Sequence, residues 1–183
     1  MLASRSPRRA EILRAAGWPF EVMAADIDET RLNKEDPVSY VKRLAFEKAM
    51  AIAAKTEGKL VLGADTTVVI ADQILGQPRD NEDASRMLRL LSGEWHEVIT
   101  GVALVRAGEK PLQLVDHRTT RVRFAKLSPE QMDWYVSTGE PMGKAGAYAI
   151  QGKAAPFIEE LAGDYFNVVG LPIRLVYELL QRV

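Results

Sequence analysis

The sequence predicts an α/β fold with a mixed central sheet and flanking helices. Three observations carry this. Apolar residues recur at helical spacing in several segments, β-rich runs lie between those segments, and some runs turn straight back on themselves, as neighbours in a purely parallel sheet do not. Leu2 and Ala3 are short for a first strand; either that strand is stunted or the chain starts upstream. Ser6 reads as an N-cap and Pro7 as the first helical residue, where a missing N–H costs nothing; Ala10, Ile12, Leu13 and Ala16 then carry the apolar face. Residues 20–23 read as a short strand and the acidic run from Asp26 to Thr30 as a loop. Asp36 and Pro37 open a helix whose apolar positions are Val38, Val41, Leu44, Ala45, Ala49 and Ile52.

Residues 59–63 and 66–70 are β-rich, with Ala64 and Asp65 between them. A turn at 71–73 leads into a return strand at Ile74 and Leu75. Asp80 caps a helix that runs through Leu91, and residues 98–105 and 112–124 form a long hairpin turning at 107–110. Ser128 and Pro129 start a helix that reaches Thr138. Residues 139–152 are glycine-rich and irregular, and residues 168–183 end in a helix with Leu175, Val176, Leu179 and Leu180 on its apolar face. No repeat, low-complexity tract or Gly/Ser linker interrupts the chain, so residues 1–183 read as a single domain.

Composition excludes several functions. The net charge is −1, which leaves no overall field to hold nucleic acid or an anionic membrane. Cysteine is absent, which removes disulfides, thiolate nucleophiles and zinc–thiolate sites and fits a reducing compartment. No apolar run approaches the ~20 residues of a membrane span, and no basic-then-apolar leader precedes the first helix. The expected location is the cytoplasm.

Chemistry concentrates in a few places. Arg8 and Arg9 fall in the first helical turn, at the positive end of the helix dipole, where cations are misplaced unless an anion joins them. With the hydroxyls of Ser4 and Ser6 they form either a phosphate cradle or a solvated pair behind a cap. Asp65 interrupts a β-rich run; it either bonds local backbone or faces a site. Glu29 lies in the acidic loop, which is either a solvated face or one side of a metal site. Lys48 on its helix is either a surface residue or a phosphate neutraliser. A Mg²⁺ ion bound to a nucleotide needs only one or two carboxylates beside phosphate oxygens, a number that Glu29 and Asp65 supply. The 139–152 segment is either a tight loop or a close approach to a ligand, and the Gln151 amide offers both a donor and an acceptor to a base edge. His96 and His117 lack metal-ligand spacing and read as structural or surface residues, and Trp18, Trp95 and Trp134 as core or interface residues.

In their order and spacing these segments resemble the Maf family of nucleoside triphosphate pyrophosphatases. The marks are residues 3–9, Asp28-Glu29-Thr30, residues 43–49, Gly63-Ala64-Asp65-Thr66, Leu91-Ser92-Gly93 with residues 96–101, residues 144–152, and Val168-Val169-Gly170-Leu171-Pro172. The resemblance covers essentially the whole chain. It implies two lobes around a substrate groove, a homodimer, and divalent-metal-dependent (Mg or Mn) hydrolysis of a nucleoside triphosphate to monophosphate and pyrophosphate. By motif position Asp65 matches the proton acceptor, and Ser4, Arg8, Arg9, Glu29, Lys48 and Gln151 match substrate- or metal-contacting positions. Arg9, Thr66 and Gln151 also match the branch that looks like a dTTP/UTP pyrophosphatase, where the 7-methyl-GTP branch carries tryptophan, glutamine and glutamate. A glutamine amide pairs with the imide edge of thymine or uracil, whereas a carboxylate with a tryptophan platform suits a cationic base.

Two positions depart from the family pattern. Gln77 stands where a substrate-binding lysine is usual, which removes a cation and keeps a donor; a lost charge-assisted bond costs about 1.5–3 kcal/mol. Arg79 is a candidate stand-in. Gly143 stands where many members have aspartate. Two alternatives accompany the main reading: the same chemistry on 7-methyl-GTP or a modified nucleotide, and a nucleotide-binding regulator of cell division with weak turnover.

Overall fold

In the computed structural model, which describes residues 1–183, the elements run in the expected order. They are α1 (Pro7–Ala15), α2 (Pro37–Ala53), β1 (Val61–Ile70), β2 (Gln73–Leu75), α3 (Asn81–Leu91), β3 (Trp95–Arg106), β4 (Leu112–Phe124), α4 (Pro129–Ser137), β5 (Ile158–Ala162), α5 (Tyr165–Val169) and α6 (Ile173–Leu180). The five strands form one sheet in the order β2-β1-β3-β4-β5. β1 and β2 pair antiparallel, as do β4 and β5. Parallel bridges from Leu2 to Val22 and Leu62 supply the mixed character.

Local chemistry accounts for most boundaries. The Asp36 carboxylate accepts the N–H groups of Val38 and Ser39 and Pro37 follows it, so α2 starts where its first orphan donors are satisfied. Asp80 caps α3 through the Asp83 N–H, and Ser128 and Gln131 form a reciprocal capping box on α4. The two residues between β1 and β2, Ala71 and Asp72, both have positive φ (45° and 63°), the backbone that a two-residue hairpin demands.

Other expectations need correction. Ser6 has the extended backbone of an N-cap, but its hydroxyl makes no capping bond; its own N–H donates to Ser4 Oγ at 3.2 Å. Residues 20–23 hold only the bridge at Val22. The two β-rich runs around Asp65 are one uninterrupted strand. The hairpin begins at Trp95 rather than residue 98, and β5 and α5 occupy residues 158–169, most of which the sequence reading leaves unassigned.

The chain forms two compact units, and β1, β3 and β4 each contribute residues to both. The first unit comprises Met1–Thr66, Thr100–Arg118 and Gly170–Val183. One of its cores is built largely from small side chains: Ala3, Ala45, Ala49, Ile52, Ala53, Val61, Ala103 and Val105. Small residues allow α2 to lie very close to the strands. A Cβ on Gly63 would sit 2.1 Å from the Ala45 carbonyl oxygen, and one on Gly101 would sit 2.3 Å from that of Val41. The second unit comprises Thr67–Ile99 and Thr119–Val169. Its core is richer in large side chains and rings, with Leu88, Phe124, Tyr135, Tyr148 and Phe157. Edge-to-face contacts such as Phe124–Tyr148 at 4.8 Å order those rings.

Candidate active site

Close packing of α2 on β1 brings a helix side chain onto a strand side chain in the first unit. Lys48 Nζ lies 2.6 Å from Asp65 Oδ1 and 2.8 Å from Glu29 Oε1. Asp65 and Lys48 are buried, while Glu29 is exposed on its loop. One ammonium therefore serves two carboxylates, one inside and one at the surface. Burial raises the Asp65 carboxyl above the ordinary aspartate value, against the opposing pull of Lys48 and Arg9. A carboxylate made more basic in this way suits the uptake of a proton from water. A buried ion pair is weak as a source of stability.

Arg9 is buried beside this group. Its Nε donates to the Gly170 carbonyl at 2.8 Å, Nη1 to Ser4 Oγ at 3.1 Å and Nη2 to Thr66 Oγ1 at 3.1 Å. Three of the five guanidinium N–H groups are thus committed to the protein, and two remain for other acceptors. Burial holds its pKa below the ordinary guanidinium value. Thr66 also shares a hydrogen bond of 2.9 Å with Thr100. Arg8 is half-buried in the same turn of α1. The structure therefore brings Ser4, Arg9 and Thr66 into one hydrogen-bonded set and Glu29, Lys48 and Asp65 into another.

No cluster of three or more His, Cys, Asp or Glu side chains is available to cage an ion. The donor set still fits a divalent cation. Two carboxylates converge on a single positive point, now the Lys48 ammonium, and a hydrated Mg²⁺ takes one or two carboxylates and completes its shell from phosphates and water.

The second unit holds Gln77 and Gln151, both exposed. Their loops are tied together, because the Gly146 N–H donates to the Gly76 carbonyl at 3.1 Å. Arg79 does not take up the role of the missing lysine in an obvious way. Its backbone N–H and its Nε both approach Asp83 Oδ2, at 3.2 and 3.4 Å, which turns it toward α3.

The family model described as Maf-like protein matches residues 1–183. The chain belongs to the Maf family. It is 52% identical over 182 residues to a protein of Symbiobacterium thermophilum named dTTP/UTP pyrophosphatase, covering all of this chain and 92% of that one. It is also 52% identical over 183 residues to a protein of the same name from Geobacter sulfurreducens, again over all of this chain and 95% of the relative. Among solved structures, the Ham1 protein of Staphylococcus aureus shares the fold, with a TM-score of 0.56 at 12% identity, over 98% of this chain and 96% of that one.

Several side chains around the site of this Maf protein escaped sequence reasoning. The Tyr40 hydroxyl donates to the Glu29 carbonyl at 2.9 Å, and Arg43 Nη2 donates to the Thr30 carbonyl at 3.1 Å. Arg43 is itself gripped by Glu35 at 2.7 and 2.9 Å, which raises its pKa above the ordinary value. One helix, α2, thus carries both the cation that meets Glu29 and two residues that pin the Glu29–Thr30 backbone. The three-residue spacing of Tyr40 and Arg43 places them on one helix face, a signal present in the sequence but without a visible partner.

Proposed function

We propose that this Maf protein hydrolyses nucleoside triphosphates, with dTTP and UTP preferred, to the nucleoside monophosphate and pyrophosphate. The observation that carries the reading is the buried Asp65 carboxyl, raised in pKa and held 2.6 Å from Lys48. Close relatives named dTTP/UTP pyrophosphatase support the substrate class. Arg9, Thr66 and Gln151 support the pyrimidine, and the hydrogen-bonded Arg9–Thr66 pair offers no platform for a 7-methylated purine.

In the proposed mechanism Asp65 orients a water and takes its proton as the oxygen attacks the α-phosphorus. The α–β phosphoanhydride bond breaks and pyrophosphate leaves with the bond's electron pair. Lys48, Arg8 and the two uncommitted N–H groups of Arg9 hold negative charge on the phosphates, and Ser4 supplies a hydroxyl oriented by Arg9. Gln77 contributes a neutral donor and Gln151 reads the base edge. Glu29 and Asp65 would hold a divalent cation (Mg or Mn), which when bound neutralises phosphate charge. Residues 1–183 act as one functional domain in this reading, as a cytoplasmic homodimer on free nucleotides. A net charge of −1 leaves no overall field to hold nucleic acid, which supports free nucleotides as partners.

Exposed Gln77, with Arg79 turned to Asp83, favours a second reading in which the protein binds nucleotide and turns it over slowly, as a regulator of cell division would. One experiment separates the two. The purified protein is incubated with Mg²⁺ or Mn²⁺ and dTTP, UTP, CTP, 7-methyl-GTP or ITP, and pyrophosphate and orthophosphate are measured. Pyrophosphate released from dTTP and UTP above the rest is the expected result. Nucleotide binding without pyrophosphate release would favour the second reading.

A further inference from the structure

Gln151 is exposed on an irregular loop, yet a base reader must point its amide in one direction. Hydrogen bonds specify through geometry, and a freely turning amide discriminates poorly. The second unit contains a device that restricts it. The Ala149 N–H donates to Tyr135 Oη at 3.2 Å, the Tyr135 hydroxyl donates to Glu140 Oε1 at 3.0 Å, and that same oxygen accepts the Lys153 N–H at 2.8 Å. The amides two residues before and two residues after Gln151 are thus held by one phenol–carboxylate pair. The pair is itself anchored. The Tyr135 ring is fully buried at the end of α4, edge-on to Phe157 at 5.4 Å. Thr138 Oγ1 donates to the Tyr135 carbonyl at 2.7 Å and accepts the Glu140 N–H at 3.2 Å. The Lys144 ammonium donates to the Glu140 carbonyl. The carboxylate lies so close to the loop that a Cβ on Gly152 would sit 2.3 Å from Glu140 Oε1.

We propose that Tyr135 and Glu140 are positioning residues for base selection: their hydrogen-bonded pair fixes the backbone on both sides of Gln151 and with it the direction of the amide. The inference rests on Gln151 reading the base. The pair touches no part of the triphosphate chemistry assigned above, so its loss changes which nucleotide is preferred more than how fast the bond breaks.

The test compares kcat/KM for UTP with that for CTP in the wild type, Tyr135→Phe, Glu140→Gln, Glu140→Ala, Gln151→Ala and the Tyr135→Phe/Gln151→Ala double variant, with thermal melts on each. Tyr135→Phe keeps the ring and removes one oxygen. It should lower the UTP:CTP ratio by about tenfold, the scale of a misplaced contact. Gln151→Ala should lower the ratio at least as much, and the double variant no further. Glu140→Gln keeps an acceptor oxygen and should retain most of the selectivity that Glu140→Ala loses. Should Tyr135→Phe not fold, the two Glu140 variants carry the same comparison. A ratio that drops in Gln151→Ala but holds in Tyr135→Phe and Glu140→Ala overturns the positioning role. Equal losses on both nucleotides, tracking a lower Tm, would mean a structural role and also overturn it. A ratio unmoved by Gln151→Ala removes the base-reading assignment itself, and the positioning role with it.

Discussion

The two units hold their functional side chains by opposite means. In the first, charge is held by charge: Glu35 grips Arg43, Arg43 grips the Glu29 loop, and Lys48 bridges Glu29 to Asp65. In the second, the loop around Gln151 is tied by backbone amides to a phenol and one carboxylate oxygen, and the neighbouring buried His96 is neutral. The difference fits the proposed tasks. Moving a proton and stabilising phosphate charge require ionised groups kept partly from water, where electrostatics are strong. Reading a base requires fixed direction, which hydrogen bonds from backbone amides and a phenol to one carboxylate oxygen supply. Substitutions in the charged network of Glu29, Arg43, Lys48 and Asp65 should therefore change rates for every nucleotide alike, and those around the Gln151 loop should change preference.

Asp65→Asn is the most severe way to sharpen this contrast. It removes the proposed proton acceptor and keeps the shape, so turnover should fall by about 10³-fold on every nucleotide, the scale of general-base loss, with the UTP:CTP ratio unchanged. Steady-state kinetics on both nucleotides check it, with circular dichroism to confirm the fold. Wild-type turnover in a folded Asp65→Asn protein would break the assignment. The titration of Asp65 carries a related expectation. Because burial raises the Asp65 carboxyl in the metal-free protein, its protonation followed by NMR without added metal should lie above the ordinary aspartate pKa.

Arg43→Lys tests whether charge holds charge. Lysine keeps the positive charge but lacks the fork that reaches Glu35, Glu47 and the Thr30 carbonyl together. With the Glu29 loop released, the Mn²⁺ concentration for half-maximal activity should rise about tenfold, as for loss of a group that orients a metal ligand. Mn²⁺ binding in the presence of nucleotide, followed by electron paramagnetic resonance, should weaken in step. Gln77→Lys runs the other way. Restoring a cation should raise kcat/KM by about tenfold on all nucleotides, consistent with one charge-assisted bond. No gain would mean that Gln77 does not approach phosphate.

How much of this was legible depends on whether the cause was local. The starts of α2, α3 and α4 could be read because Asp36, Asp80 and Ser128 satisfy donors only two or three residues away. The Ala71–Asp72 turn and the β3–β4 hairpin were legible for the same reason. Asp65 was misread as a break between strands because its partner Lys48 arrives from another element. Arg9 belonged to a legible phosphate motif, yet its Nε bond to Gly170 spans 161 residues and no local pattern announces it. β5 was missed because Glu159 and Glu160 interrupt its apolar residues; they pair with Arg123 of β4, again a distant partner. The candidate site residues were identified by type and order, whereas Tyr40, Arg43, Tyr135 and Glu140, which hold them, have roles that exist only in the folded chain.

The smallest expected effect concerns His96, and it is one of stability rather than rate. Its Nε2 lies 2.8 Å from the Tyr148 hydroxyl, its ring is edge-on to Phe124 at 5.2 Å, and burial lowers its pKa from 6.5 to about 4. The native protein keeps His96 neutral in that interval, while the unfolded chain takes up a proton near 6.5. The unfolded state therefore binds more protons between pH 6.5 and 4. The contribution of His96 to stability is fully present above 6.5 and is lost as pH falls through that window. Asp28, Glu35, Asp36 and Asp83 are held below their ordinary values of 3.8 to 4.5, so their losses come at lower pH. Asp65, raised instead, works with the opposite sign and loses stability as pH rises through its folded value. The informative quantity is thus the difference between wild type and His96→Gln, a variant that keeps a hydrogen-bonding group for Tyr148 but cannot titrate. Thermal melts from pH 7 to 5 should show a fall in Tm that is steeper in the wild type than in the variant, with nucleotide preference at pH 7 unchanged. Equal slopes would place the acid sensitivity in the carboxylates of either unit, Asp83 with Arg79 and Arg86 among them, and would remove His96 as its source.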